Sequence, residues 1–380
     1  MTICKSEHCF GCAACANICP RHAIKMSEDA FGVKMPVIDD VLCVECGLCK
    51  KVCPSLSSVA LRQPISYFAA WANQAKIRND AASAGIVSAV SFNVLSCGGV
   101  VFGTCFKNSK LVFDYITDVD DLDKFKGSKY IHADVNNAYT LVKKFVSANR
   151  QVLFVGTPCQ IAGLKSYLRK DYGNLLTIDL VCHGVSPQKY LQEYIRDYIG
   201  IKKYDKVLFR GCEGNRLAVY NRNGDVLYSR LKYIDLYSMA YAKGLIMREN
   251  CYSCPFASIM RCGDITAGDF WGIDKSSLSD IPDDVAFVSL ALANSKRGLS
   301  WLTNSDIHLE PKKISEILST NRQFSAACLR HNEYESVRET ALLNGIVYAL
   351  KRTSLHKQIK KDRIKYFIHR AIHRIIRKTR

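Results

Sequence analysis

CFGCAACANICP at residues 9–20 and CVECGLCKKVCP at residues 43–54 are one pattern written twice, each cysteine and the closing proline offset by 34 positions. Cys9, Cys12 and Cys15 put three thiolates on one tight loop, a shape suited to three corners of an iron–sulfur cubane. The fourth corner must come from elsewhere. In two-cluster ferredoxins the last cysteine of each string ligates the other cluster. That rule assigns one 4Fe-4S cluster to Cys9, Cys12, Cys15 and Cys53, and a second to Cys43, Cys46, Cys49 and Cys19. Cys-x-x-Cys pairs are also zinc signatures, but zinc sites usually pair two such dipeptides across a long loop. Here four cysteines occupy eleven residues and proline follows both times. Ala23–Met26 and Val33–Ile38 flank residues 28–32 and read as a short hairpin between the strings. Residues 1–58 are therefore expected to form a two-cluster 4Fe-4S ferredoxin module.

The rest of the chain is too long for that module. With 380 residues, two or more domains are the natural expectation. The longest uncharged run, Ile86 to Phe106, is broken by serines, asparagine and glycines, unlike a spanning helix. The first cysteine string begins at residue 9, which leaves no room for the apolar stretch of a signal peptide. The expected location is the cytoplasm, where eighteen cysteines argue for metal thiolates over a disulfide framework. After Pro54 the composition shifts: Ser55–Ser58 and Pro64 read as a linker, followed by alternating strand and helix patterns. Tyr67–Ala72 and Val100–Phe106 are strand-like, and Ser83–Leu95 has helical spacing. Residues 65–148 are taken as the N-terminal part of this α/β domain and residues 149–340 as its C-terminal part. No Gly-x-Gly-x-x-Gly follows a strand and no Walker-type loop is present, so a bound nucleotide would need a different cradle.

Three segments of this domain carry chemistry. The buried-strand run Gln151–Val155 leads into Gly156, Thr157, Pro158 and Cys159, with Thr157 as N-cap and Pro158 at the first helical position. Cys159 then lies in the first turn, where free N–H groups and the helix dipole favour a thiolate. A second strand, Leu175–Val181, ends in Cys182, His183 and Gly184, and Ser186–Pro187 opens another helix. The carboxyl ends of strands form the binding edge of open α/β sheets, so Cys159 and Cys182 point to one crevice. Cys251 and Cys254 add two thiolates from a loop, enough for a third cluster. Cys97, Cys105, Cys212 and Cys328 read as small buried hydrophobes, Cys4 as a spare near the terminus, and Cys262 as a weaker competitor for the third cluster.

These segments resemble the beta-subunit family of coenzyme F420 reducing hydrogenases and dehydrogenases, which also includes the plant 7-hydroxymethyl chlorophyll a reductase. The resemblance spans residues 1 to about 310. Its carriers are Ser83–Ile86, Phe125–Tyr130, Val155–Gln160, Asp179–Gly184, and Cys251–Cys254 followed by Asp264–Trp271. It implies FAD, a 4Fe-4S cluster close to it, and two-electron reduction of a substrate on the exposed flavin face. It also implies Cys159, Cys182, Cys251 and Cys254 as that cluster's ligands, with Cys262 outside the motif. Flavin contacts would come from Ser83, Ala84 and Gly85, from Gly127, Ser128 and Lys129, from Thr157, and from Gly268 and Asp269. His183 and Lys129 are the candidate catalytic side chains. The chain departs from the family at Ala84, where glycine is common, and after Arg210-Gly211, where Cys212, Glu213, Gly214 and Asn215 replace a lysine and tryptophan. Bacterial relatives accompany surface-polysaccharide biosynthesis genes, so a deazaflavin coenzyme is not assigned as the substrate.

Residues 341–380 form the basic amphipathic tail. Residues 351–380 carry twelve Lys or Arg and one acid, Asp362, which supplies +11 of the formal +18. Ile364, Phe367, Ile368, Ala371, Ile372, Ile375 and Ile376 fall at helical spacing. The stripe reads either as an interfacial helix drawn to anionic lipid or as a helix docked on the protein's own body; nothing else in the chain favours nucleic acid. The expected whole is an α+β ferredoxin-like two-cluster module, an α/β flavin-binding domain and a basic C-terminal helix. The expected function is an iron–sulfur flavin-dependent oxidoreductase. It would take electrons from a donor protein or reduced cofactor and reduce a small or lipid-linked acceptor, in surface polysaccharide biosynthesis. The alternative is an electron-transfer subunit of a larger complex without its own substrate.

Overall fold

The computed structural model describes residues 2–79, 81–210 and 214–378, with the side chains of Asn79, Phe367 and residues 370–378 left aside. The module's hairpin pairs β1 (Ile24–Glu28) with β2 (Lys34–Ile38), Ile24 opposite Ile38. Asp29 closes its turn by accepting from the N–H groups of Phe31 (2.9 Å) and Val33 (2.8 Å).

An eight-stranded mixed sheet forms the larger body. Its strands are β3 (Ser66–Ala72), β4 (Val100–Lys107), β5 (Lys110–Ile116), β6 (Val152–Gly156), β7 (Leu175–Leu180), β11 (Ile265–Asp269), β12 (Ser289–Ala293) and β13 (Ile307–Pro311). A separate antiparallel sheet holds β8 (Lys206–Leu208), β9 (Arg216–Tyr220) and β10 (Val226–Leu231). The large sheet runs β13-β3-β12-β11-β7-β6-β4-β5. Only β4, β6, β7 and β11 are parallel; the outer strands on both sides are antiparallel. The parallel core explains the continuous apolar run of β6, because both faces are covered; β7 is buried likewise but carries Thr177 and Asp179. Val100, Phe102, Val152 and Phe154 face one apolar cluster, while Val101, Leu153, Leu176 and Ile178 face another. The pleat's period of two fixes that division.

The ferredoxin module is docked, not tethered. Phe10, Cys12, Ala13, Ala14 and Val52 belong to the same apolar cluster as Phe154, Ile161 and Leu164, and the Phe10 and Phe256 ring centroids are 5.4 Å apart. Asn17 donates to the Asn136 carbonyl (2.7 Å) and accepts from the Thr140 hydroxyl (3.1 Å). The linker is also fixed: Arg62 and Arg261 exchange backbone hydrogen bonds of 2.8 and 2.9 Å.

The tail divides at about Arg363. Ile346, Leu350, Leu355 and Ile359 are buried in the main core, and Arg363 donates to the Ile234 carbonyl (2.8 Å) and the Tyr198 hydroxyl (3.0 Å). Beyond it, within the helix Ser354–Lys378, Ile364 and Ile368 are exposed; the stripe positions Phe367, Ala371, Ile372, Ile375 and Ile376 lie outside the described side chains. No described helix is long and apolar enough to cross a membrane.

Candidate cluster sites and cleft

Cys9, Cys12 and Cys15 on one loop meet Cys53 from the second string around a cavity of about 20 Å³. The place of Cys53 matches one half of the exchange of fourth ligands expected of a two-cluster ferredoxin. The donor set fits an iron–sulfur cluster in a second respect: backbone N–H groups are aimed at the sulfurs. Gly11 N–H donates to Cys9 Sγ, Ala23 N–H to Cys19 Sγ and Gly184 N–H to Cys182 Sγ, each at 3.4 Å. Such bonds stabilise anionic sulfur and tune cluster potentials. Cys19 and Cys49 pack on one small apolar cluster with Ile24 and Ile38. Burial first, and then the charges of Cys46 and Cys43, raise the Cys49 thiol; Cys46 is exposed. No three described His, Cys, Asp or Glu side chains converge on a single-ion position; a cubane does not ask for that, since each thiolate takes its own iron.

Cys4 corrects its reading as a spare. It lines the first cavity with Cys9 and Cys53. A hydrogen bond from its thiol leads the causes that hold both of those thiols below the ordinary cysteine value.

Cys159, Cys182, Cys251 and Cys254 come from four places: the helix Pro158–Leu168, the end of β7, the turn Glu249–Cys251 and the loop after it. Their charges act on one another, which places them in one neighbourhood. Burial pushes the Cys182 thiol far up, and the charges of Cys251, Cys159 and Cys254 add to it. Thr157 is the N-cap and Pro158 the first helical residue; Gln160 Oε1 accepts from the Thr157 N–H and hydroxyl, both at 2.9 Å. The dipole argument for an easily ionised Cys159 is overruled, because desolvation raises this thiol more than the helix N-terminus lowers it. Cys262 turns its thiol to the Pro158 carbonyl (3.2 Å) and to Asp179 Oδ2 (3.6 Å).

A buried ion pair fixes this corner. Asp179, fully buried at the end of β7, accepts from Arg261 Nη2 (2.7 Å) and Thr266 Oγ1 (2.6 Å), and its other oxygen accepts from Gly263 N–H (2.7 Å). Arg261 also donates to the carbonyls of Phe256 (3.1 Å) and Ser258 (3.2 Å). One pair thus positions both the strand that ends near Cys182 and the loop that follows Cys254. Sequence reading missed its role, because the partners are 82 positions apart and neither has a periodic signature.

Beside the quartet, at the carboxyl ends of the parallel strands, opens a cleft of about 460 Å³, within the usual range for cofactor sites. Ser83, Gly85, Gly127, Ser128, Lys129, Thr157, Gly268 and Asp269 all line it, as do Cys182 and His183. Ala84 does not, and this corrects its assignment as a flavin contact. It is 2% exposed and packs with Trp71 and Leu290. Its N–H donates to Ser289 Oγ (3.0 Å), which in turn donates to Ser83 Oγ (3.0 Å). The residue holds the turn, not the ligand.

Lys129 Nζ donates to the carbonyls of Phe125 (2.8 Å), Lys126 (3.0 Å) and Gly127 (3.0 Å) and so closes the loop lining the cleft. Burial, with Lys206 nearby, lowers its pKa to about 7. Asp269 is paired with the buried Arg210, whose guanidinium lies 3.9 Å from the Phe287 ring centroid and 5.6 Å from that of Trp271. Burial lowers the pKa of His183, whose Nε2 is 3.4 Å from Cys328 Sγ. Cys328 is therefore a partner of a cleft residue instead of an idle hydrophobe. Cys97 is exposed, contrary to its expected burial, while Cys105 is buried. Cys212 and Glu213, at the departure from the family pattern, lie outside the described residues.

Twin iron–sulfur cysteine strings docked on a body with a cofactor-sized cleft define an iron–sulfur protein of the oxidoreductase class. The chain belongs to the coenzyme F420 hydrogenase/dehydrogenase beta-subunit family: its N-terminal domain matches residues 67–139 and its C-terminal domain residues 149–316. A 4Fe-4S dicluster domain matches residues 8–56. Among curated proteins, the coenzyme F420-dependent sulfite reductase of Methanocaldococcus jannaschii is 30% identical over 163 residues, 41% of this chain and 24% of that protein. The match thus spans about a quarter of the relative's length. Among solved structures, the F420-reducing [NiFe] hydrogenase complex of Methanosarcina barkeri contains a chain with 18% identity and a TM-score of 0.46, covering 77% of this chain and 91% of that one.

Proposed function

We propose that this protein is an iron–sulfur flavoprotein oxidoreductase. It passes electrons from a soluble donor through 4Fe-4S clusters to FAD in the cleft and reduces a small or lipid-linked substrate there. One observation carries the reading: Cys182, which feels the charges of Cys251, Cys159 and Cys254, also lines the cleft. A cluster held by that quartet would border whatever occupies the cleft. A flavin in that position collects single electrons and releases them in pairs. The chain's own residues supply the setting. Gly127 turns with φ +85°, and a Cβ there would meet Leu208 Cδ2 at 2.7 Å. Lys129 ties that turn shut. Thr157 and Ser83 offer hydroxyls, and Asp269, held by Arg210, offers an oriented carboxylate. His183 is the candidate proton donor at the cleft wall. Protein purified without oxygen should carry flavin that reoxidises with a small acceptor in the absence of any partner. A flavin reduced through the clusters but inert without a partner protein would favour an electron-wiring subunit instead.

That second reading has its own support in the ferredoxin module, where Val41 (94% exposed) and Val44 (60%) precede the exposed Cys46. An apolar rim on the outermost cluster loop suits a docking redox protein. The tail beyond Arg363 suits a peripheral place on an anionic membrane face, with Ile364 and Ile368 exposed between basic residues.

A further inference from the structure

Arg248 touches the loops of two cysteine sets at once. Its guanidinium, in a residue only 2% exposed, donates to the carbonyls of Phe10 (Nη1, 2.7 Å) and Cys9 (Nη2, 3.1 Å). Its backbone serves the third set: Arg248 N–H donates to the Val185 carbonyl (2.9 Å), just after the Cys182 loop, and Cys251 N–H donates to the Arg248 carbonyl (3.0 Å). A planar fork grips the two successive carbonyls through two separate N–H groups at fixed spacing, whereas an ammonium reaches all its acceptors from a single nitrogen. Neither acceptor is anionic, so the cation is not neutralised by its direct partners, and Nε finds no acceptor among the described residues. The same two sets meet sterically: a Cβ on Gly163, one turn beyond Cys159, would lie 2.8 Å from Cys12 Cβ and 2.9 Å from Cys12 Sγ.

We infer that Arg248 is a positioning residue at the junction of the first and third clusters, a buried cation that clamps both loops and raises both reduction potentials together. This rests on the reading of Cys159, Cys182, Cys251 and Cys254 as a cluster site. The physical reason is simple. Adding an electron to a cluster is favoured by an uncompensated positive charge in a poorly screened interior. The second cluster, assigned to Cys43, Cys46, Cys49 and Cys19, would lie beside the exposed Cys46, and among the described residues none of these cysteines is hydrogen-bonded to Arg248. Electrons arriving there would therefore meet two acceptors held at a raised potential.

The test is redox titration of the intact protein, followed by low-temperature EPR, in wild type, Arg248→Gln and Arg248→Lys. Arg248→Gln should lower the midpoints of the first and third clusters by about tenfold in the one-electron equilibrium, roughly 59 mV. The second cluster's midpoint should stay in place. Arg248→Lys, which keeps the charge and loses the fork, should restore most of the shift. Unchanged midpoints in Arg248→Gln with full iron content would overturn the inference. So would equal loss of iron from both variants with the midpoints of retained clusters untouched, because that pattern belongs to a purely structural clamp. About eight irons in the wild type would overturn the underlying cluster reading as well. About twelve irons with an indifferent Arg248→Gln overturns this inference alone.

Discussion

Replacing Gly163 by alanine tests how closely the ferredoxin module sits on the larger body. The added Cβ would lie 2.8 Å from Cys12 Cβ, 2.9 Å from Cys12 Sγ and 2.9 Å from the Tyr139 hydroxyl. Ordinary carbon contacts are about 3.5–4.0 Å, so the Cys12 side must retreat by about 0.7–1.2 Å. None of the three can swing aside. Cys12 is 7% exposed and Tyr139 is fully buried, and the Tyr139 hydroxyl donates to the Gln160 carbonyl at 2.8 Å. The overlap must be relieved by moving the module or the helix Pro158–Leu168, at a cost of about 1–3 kcal/mol. Urea unfolding of anaerobic protein, followed by circular dichroism and by cluster absorbance, measures that cost. The magnetic interaction between reduced clusters in EPR measures the separation. The variant should keep its iron, lose stability by that amount and show weaker inter-cluster coupling. Wild-type stability together with wild-type coupling would refute the close approach.

Further substitutions probe other parts of the account. Asp179→Asn leaves Arg261 buried without its counter-charge and should cost about 3–5 kcal/mol; a midpoint of urea unfolding equal to wild type would contradict this. Lys129 gives a pH signature. Its folded pKa is lowered to about 7 from 10.5, so between those values the unfolded chain binds the proton that the folded chain has released, and stability rises with pH. Below pH 7 both states hold the proton and the penalty is fully present. Lys129→Met should flatten that rise in unfolding free energy measured from pH 7 to 10; an equal slope in both proteins argues against it. Removal of residues 364–380 should preserve the fold and abolish binding to anionic vesicles in a flotation assay. A cut after Leu350 would instead remove the buried Leu355 and Ile359 and destabilise the core.

The two cysteine strings were legible because ligand spacing is local and covalent. The exchange of Cys19 and Cys53 between clusters was expected from the repeat together with the two-cluster ferredoxin rule, and the structure places Cys53 beside Cys9, Cys12 and Cys15. The central strands β4, β6 and β7 were legible from apolar-rich runs covered on both faces, whereas β11, Ile-Thr-Ala-Gly-Asp, was not. The antiparallel flanks were not, since pairing such as β3 with β12 and β13 joins residues more than 200 positions apart. Eight of the nine residues assigned to flavin line one cleft, and the ninth, Ala84, sits within their turn but faces inward. Arg248 was invisible for a different reason. An arginine donating to backbone carbonyls leaves no complementary residue type in the sequence, so only the folded chain shows which loops it joins. Cys4 and Cys328 illustrate the converse: isolated cysteines carry no spacing, and their partners Cys53 and His183 are known only from the fold.

The central claim is that three cysteine sets in series lead to a flavin cleft. Iron, sulfide and flavin content, with a visible spectrum, on protein purified without oxygen tests it most directly. The account predicts about twelve irons and one flavin per chain. About eight irons would leave the ferredoxin module standing and remove the cluster at Cys159, Cys182, Cys251 and Cys254, while zinc without iron or flavin would contradict the oxidoreductase reading itself.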